Sequence, residues 1–145
     1  MVFWESKEVF SVTGQFSNLK IDTSDLSATI LKFQSDIIAE VHLDYFQKPE
    51  IRSCKIIGTK GTIYWDSLTN EVKVYDFLKT KWTSKLKIKK YQKNEMYVKE
   101  LKHFIQCVNR KEKSINDLSQ GNNLLKVALE IIKSSKLKKS IIIKK

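Results

Sequence analysis

Over its first two thirds the chain alternates apolar and polar residues with a period of two, the mark of strands covered on one face. KEVFSVTGQFS at 7–17 sets Phe10, Val12 and Phe16 on one side. A polar loop leads to SATILKFQ at 27–34, and Ser35 and Asp36 turn the chain into IIAEVHLDYFQ at 37–47. Pro49 ends that strand, because it has no N–H to give to a ladder. IRSCKIIG (51–58), GTIYWD (61–66), EVKVYDF (71–77) and KWTSKLKIK (81–89) follow, the last as a lysine-rich edge. GTKG at 58–61 joins two of these strands as a hairpin turn whose glycines admit positive φ.

At Asn94 the period changes. NEMYVKELKHFIQCVNR places Tyr97, Leu101, Phe104, Ile105 and Val108 on one helical face, with Asn94 as N-cap and Glu95–Lys99 paired on the wet side. A loop over KEKSINDLS leads to a second helix through GNNLLKVALEIIKSSK, where Lys133 and Lys136 complement the dipole. SIIIKK has the form of one more short strand. Strands in a run followed by two helices predict an α+β fold. Its sheet should be open and mostly antiparallel, of about six to seven strands, with both helices packed on one face. No repeat or low-complexity segment interrupts the chain, so 1–145 is expected to form a single domain.

Charge changes this picture less than its size suggests. The net charge is +11, yet Arg52 and Arg110 are the only arginines and the lysines are scattered. Arginine suits bidentate phosphate and base contacts, whereas lysine often only solvates a surface, so nucleic acid is not expected as a partner. No stretch reaches the length of a membrane span, and MVFWESKEVF lacks the basic-then-apolar form of a secretory signal. Cys54 and Cys107 sit among apolar residues and read as reduced, buried thiols, so a cytoplasmic location is expected.

The second face of the strand at 37–47 carries Glu40, His42 and Asp44. Ile37, Ala39, Val41, Leu43 and Tyr45 form the opposite row, which should meet the helices. Same-face neighbours on a strand lie roughly 7 Å apart, so His42 reaches a carboxylate only by leaning along the strand. No nucleophile completes the trio and a flat strand does not converge on a metal, so no catalytic residue and no metal ligand is assigned. Continuing the alternation, Lys55, Thr62, Tyr64, Lys73 and Tyr75 join this face. Aromatic residues mixed with charges predict a protein interface, and a wide face of this kind suits a two-fold homodimer. No glycine-rich dinucleotide fingerprint or phosphate loop occurs in the sequence. An alternative is a basic open-sheet module in which Tyr64 and Tyr75 stack on single-stranded nucleic acid or the lysines hold another polyanion. Against it, the aromatics lack a supporting arginine.

HLDYFQKP, IIGTKGTIYWD, NEMYVKELKHFIQCV and LLKVALEIIKSSK stand in one order and at one spacing. Together they resemble the C-terminal domain of the glucose–fructose oxidoreductase, inositol dehydrogenase and rhizopine-catabolism (Gfo/Idh/MocA) family, from about Lys7 to Ile143. The resemblance implies an α/β domain that shapes the substrate pocket of an NAD(P)-dependent oxidoreductase. Such enzymes move hydride to or from a carbinol carbon of a sugar, cyclitol or sugar nucleotide. It also implies that the exposed sheet makes the subunit interface. NAD or NADP would be bound by a Rossmann domain, which this chain is expected to lack and which would have to be supplied by a missing half or in trans. The family's usual catalytic histidine precedes the first sheet strand, so His42 does not inherit that role and the chain is expected to be inactive by itself. The run DYFQKP resembles the family's Asp-Tyr-x-Gln-basic-Pro segment. This makes Tyr45, Gln47, Lys48 and Arg52 the candidates for contacting a polyhydroxyl or phosphorylated substrate.

Overall fold

The computed structural model describes residues 6–144. In chain order the elements are β1 (Ser6–Gly14), β2 (Leu26–Phe33), β3 (Ile38–Asp44), β4 (Ser53–Gly58), β5 (Gly61–Asp66), β6 (Glu71–Asp76) and β7 (Lys81–Lys87). Helices α1 (Lys93–Val108) and α2 (Leu118–Leu137) and the short β8 (Ile141–Ile142) complete them. The α+β class and the antiparallel pairing hold. The strands divide, however, into two sheets of four, ordered β3-β2-β1-β8 and β4-β5-β6-β7, instead of one sheet of six to seven. A period of two tells which face a residue takes; it is silent on which sheet the strand joins. The chain forms two compact units, one from the segments up to Phe46 and from Ile115 onward, the other from Gln47–Ser114.

In the first unit one face of the sheet is covered. Val9, Leu31, Phe33, Val127 and Ile141 are buried together, and Ala39, Val41, Ile131 and Ile143 pack around them. Leu43 and Tyr45 share the parity of Ala39 and Val41 but remain largely exposed, so the apolar row of β3 meets the core only in its first half. β8 pairs with β1 only at Glu8 and Val9. Beyond that point no strand among the described residues lies beside the outer edge of β1, and its peptide groups need other partners. Two serines of α2 provide them. Ser134 Oγ accepts from Ser11 N–H at 3.1 Å and lies 2.7 Å from the Lys139 carbonyl. Ser135 Oγ accepts from Thr13 N–H at 2.8 Å and donates to the Thr13 carbonyl at 2.9 Å.

The same stretch of sheet carries a closed ring of four hydroxyls. Ser11 meets Thr13 at 2.8 Å, Thr13 meets Ser27 at 2.8 Å, Ser27 meets Thr29 at 3.2 Å, and Thr29 donates to Ser11 at 3.0 Å. Each hydroxyl can donate to one neighbour and accept from the other, which lets Ser11 and Thr29 be buried without an unpaired group.

Residues 15–25 are gathered by one carboxylate. Asp25, fully buried, accepts from Phe16 N–H at 2.7 Å, Ser17 N–H at 2.9 Å and Ser17 Oγ at 2.6 Å. Desolvation pushes its carboxyl up, but the bonds from the Ser17 hydroxyl and from the Phe16 and Ser17 amides together outweigh that and hold it below the ordinary value.

In the second unit two hairpins share one device. Asp66 Oδ1 accepts from the amides of Leu68 and Thr69, and Asp76 Oδ1 from those of Leu78 and Lys79. Four residues after each aspartate, Asn70 and Thr80 take positive φ. The GTKG turn closes with Gly58 opposite Gly61. Gly61 has a φ of 151°, and a Cβ there would run into the Tyr75 carbonyl, so the position needs glycine.

Both helix starts differ from expectation. α1 begins at Lys93 after Gln92, which makes no side-chain cap, so Asn94 lies inside the first turn. α2 starts at Leu118, three residues before Gly121, because Asp117 accepts from Gln120 N–H at 2.8 Å and caps it. Glu95 and Lys99 pair as expected, at 3.8 Å. α2 packs on the first sheet; α1 belongs to the second unit, with Tyr97, Leu101, Phe104, Ile105 and Val108 exposed. Among the described residues no helix is long and apolar enough to cross a membrane.

Two outcomes follow from the first unit. Ser134→Ala should lower unfolding stability by about 1–3 kcal/mol, the cost of leaving a buried peptide group unpaired. Urea denaturation should show a lower midpoint at unchanged slope; a midpoint equal to that of the parent would show that the serine does not hold β1. Asp25→Asn should destabilise at neutral pH. Because the folded carboxyl is held low, its contribution is complete above the unfolded value of ~3.9 and is lost as pH falls through the lower folded value. The gap between variant and parent should therefore close in acid, and a gap independent of pH would contradict the charged clamp.

Candidate functional site

The uncovered face of the first sheet is built by register. Phe10 lies opposite Ile30 and Ile30 opposite Glu40; Val12 faces Ala28 and Ala28 faces His42. Phe10 is 43 %, Val12 47 %, Ile30 48 % and Ile38 64 % exposed, so this face is apolar with Glu40 and His42 along one border. The expected row of Glu40, His42 and Asp44 is present on β3. His42 does lean along the strand, placing Nε2 3.0 Å from Asp44 Oδ2. Asp44 is the less exposed member, its side chain only 5 % accessible, and its other oxygen accepts from Phe46 N–H at 3.0 Å. The carboxylate thus fixes an imidazole and a chain turn.

Lys55, Tyr64 and Tyr75 stand on the second sheet, so they do not continue the row of β3 as the alternation suggests. The reason is again the change of sheet between Asp44 and Ser53, which period two does not register. Within the second sheet they do come together. One row runs Lys55, Tyr64, Lys73 and Ser84, and the next Ile57, Thr62, Tyr75 and Trp82. Tyr75 and Trp82 have ring centroids 5.4 Å apart at a tilted angle of 56°. Lys55, Tyr64, Glu71, Lys73, Trp82 and Ser84 line an open depression of about 600 Å³.

Glu71 organises this depression. It is buried, 3.4 Å from Lys73 Nζ and 3.8 Å from Lys87 Nζ. The Ser84 hydroxyl is the largest influence holding its carboxyl below the ordinary range; desolvation opposes this, and Lys73 and Lys87 reinforce it. An ionised, doubly paired carboxylate is a poor general base. What the face offers instead is aromatic surface edged by ammonium groups.

The four substrate candidates are placed differently. Tyr45 lies in the first unit, its backbone N–H on the Asp25 carbonyl at 3.0 Å, and the residue is 70 % exposed. Gln47, Lys48 and Arg52 belong to the second unit and are exposed. Lys48–Pro49 is a cis peptide bond. Arg52 is held by its backbone, donating to Ser67 Oγ at 2.9 Å and accepting from Ser67 N–H at 2.8 Å. Residues within each unit are positioned by these bonds, and their side chains point to solvent.

Four residues were not marked by the sequence pattern. Trp82 comes opposite Tyr75, and Ser84 opposite Lys73, through the register of the hairpin closed by Asp76 and Lys81. Beyond it an irregularity between Val72 and Lys73 shifts β7 by one residue and sets Lys87 opposite Glu71. For Asp25, the available signal was an acidic residue closing a polar loop just before an apolar run.

Among the described residues no group of three His, Cys, Asp or Glu could hold a metal ion. Nor do the glycines suit a dinucleotide: Gly58 and Gly61 close a hairpin, and Gly121 lies within α2. A pyrophosphate cradle needs glycines between a strand and a helix N-terminus, so the residues present do not fit that cofactor.

Comparison with known proteins identifies the family. Residues 5–143 match the sequence profile described as the oxidoreductase family, C-terminal alpha/beta domain, of the Gfo/Idh/MocA group. No curated protein matches the chain significantly in sequence. Among solved structures, levoglucosan dehydrogenase in complex with NADH and levoglucosan superposes with a TM-score of 0.83 at 12 % identity, covering 97 % of this chain and 46 % of that one. An oxidoreductase from Agrobacterium radiobacter in complex with NAD+, L-tartaric acid and magnesium gives 0.77 at 16 %, covering 96 % and 44 %. An oxidoreductase domain protein from Kribbella flavida gives 0.81 at 12 %, covering 97 % and 45 %. The chain therefore spans somewhat under half the length of these relatives, and at such identities the likeness is one of fold. With the profile matched across both sheets and both helices, the chain belongs to the Gfo/Idh/MocA oxidoreductase family as its C-terminal α/β domain.

Proposed function

We propose that this chain is the substrate-lining and subunit-contact half of an NAD(P)-dependent oxidoreductase acting on a sugar, cyclitol or related polyhydroxyl compound. The family match over 5–143 carries this reading. In it, the dinucleotide is held by a separate Rossmann half, and the present residues contribute contacts to substrate. Tyr45, Gln47, Lys48 and Arg52 supply exposed hydrogen-bonding and cationic groups near the end of β3 in sequence, suited to hydroxyl or phosphate oxygens. The complexes of levoglucosan dehydrogenase with NADH and levoglucosan, and of the Agrobacterium radiobacter oxidoreductase with NAD+ and L-tartaric acid, support that choice of substrate class.

The sheet faces support the contact role. Phe10, Val12, Ile30 and Ile38 expose apolar surface beside Glu40 and His42, and Lys55, Tyr64 and Tyr75 present an aromatic and cationic face. Both have the composition of homodimer contacts. The polyanion reading draws less support, since Lys73 and Lys87 are already paired with Glu71.

Two measurements test the proposal. The chain should sediment as a dimer at physiological salt, and Ile30→Asp, which points away from the core, should convert it to a folded monomer. A parent that is monomeric at every concentration would remove the contact role. NADH fluorescence should be unchanged by the chain alone. Joined to a family Rossmann domain, the chain should support NAD(P)-linked oxidation of a polyol. Tight NADH binding by the isolated chain would overturn the division into halves.

A further inference from the structure

We propose that the outer edge of β7 is a docking site for an acidic, extended peptide segment, which adds to the second sheet as a further strand. β7 ends that sheet, and among the described residues no strand lies beyond it. All 7 of its residues, Lys81–Lys87, are exposed. Its ladder with β6 runs in register from Lys81 opposite Asp76 to Ser84 opposite Lys73, then shifts at Lys85 before Leu86 and Lys87 resume it. Along a strand successive peptide groups point to alternate sides, so every second residue turns its N–H and C=O outward. The regular stretch Lys81–Ser84 therefore offers an edge that another peptide backbone can complete.

Charge decides what can occupy that edge. No acidic residue occurs between Asp76 and Glu95, whereas Lys79, Lys81, Lys85, Lys87, Lys89 and Lys90 follow one another along β7 and its ends. Lys87 Nζ lies 3.8 Å from Glu71 and Lys79 Nζ 3.9 Å from Asp76. Lys81, Lys85, Lys89 and Lys90 are exposed and have no carboxylate within ion-pair distance among the described residues. Lysines on an edge guard it against a like strand, and a second copy of β7 would set lysine against lysine. The same charges attract a strand that carries Asp or Glu at alternate positions, since cross-strand neighbours lie about 5 Å apart. Trp82 stands opposite Tyr75 and Leu86 opposite Val72, on opposite faces of the sheet, so each face also gives an apolar side chain a place to pack.

A phosphate backbone only accepts hydrogen bonds and cannot answer the outward carbonyls, whereas a peptide answers both N–H and C=O. Strand addition uses the backbone rim of the sheet and not the faces assigned to subunit contact, so it is open to monomer and dimer alike.

The test titrates the full chain into a fluorescein-labelled peptide of about eight residues, alternating Glu and Val, with anisotropy as the readout. Binding should be saturable at low salt and weaken about tenfold as salt rises from ~0.05 to ~0.3 M. The doubly reversed variant, Lys81→Glu with Lys85→Glu, should lose this peptide and bind a Lys–Val counterpart that the parent does not hold. A Glu–Val peptide N-methylated at every residue keeps its charge but cannot form a ladder, and should not bind. In the complex, amide exchange should slow within Lys81–Ser84 and stay unchanged in β4, the opposite edge. β4 is equally exposed, its Cys54 included despite the burial its apolar neighbours suggest, but it carries only Lys55. Failure of the Glu–Val peptide to bind at low salt would show that the lysines only guard the edge, and overturns the proposal. Equal binding of the methylated peptide, or of an oligothymidylate of the same charge, overturns it in favour of unspecific attraction of polyanions.

Discussion

The edge of β1 is the constraint on which the first unit depends. A strand ordinarily hands its peptide groups to two neighbours, but β8 covers only Glu8 and Val9. Past that point the backbone of Ser11 and Thr13 would face a buried, unpaired edge, at about 1–3 kcal/mol for each unsatisfied group. Ser134 and Ser135 close it, and in doing so they set the position of α2 along β1. That position places Val127 and Ile131 over Val9 and Leu31. The apolar core and the polar edge are thus satisfied by the same helix, with Ser134 three residues beyond Ile131. The hydroxyl ring of Ser11, Thr13, Ser27 and Thr29 extends this polar zone into the sheet without leaving a group unpaired.

Carboxylates do comparable work in places where the backbone must bend. Asp25 gathers the 15–25 loop, Asp66 and Asp76 set two hairpins, and Asp117 starts α2. Asp25 and Asp66 are held below the ordinary carboxylate range, Asp25 by hydrogen bonds that outweigh desolvation and Asp66 foremost by the Thr69 amide. Glu71 belongs to the same group, with Ser84 and two lysines around it.

The functional reading rests on the family match over 5–143. Gly58 and Gly61 close a hairpin, Gly121 lies within α2, and Asp44 orients the His42 imidazole on an open face. In the function proposed above, such a domain contributes shape and contacts to chemistry performed with groups held elsewhere. The family match is consistent with that role, since the chain spans under half of the related enzymes.

Much of the local structure was legible from residues alone. Period two identified all seven long strands, Ser35 and Asp36 the tight turn, GTKG the hairpin, and the order of four motifs the family. The outward row of Glu40, His42 and Asp44 was legible too, because alternation on a strand is local geometry. The helix starts were less so: Asn94 looked like a cap and was not, while Asp117, followed three residues later by Gln120, was one. What only the tertiary structure decided was the partition of strands between two sheets, the shifted register that sets Lys87 against Glu71, and the docking of Ser134 on β1. Alternation and capping are properties of a few neighbouring residues and can be read from them. Sheet membership, register and edge satisfaction depend on which distant peptide groups find each other, and that is settled only when the chain packs.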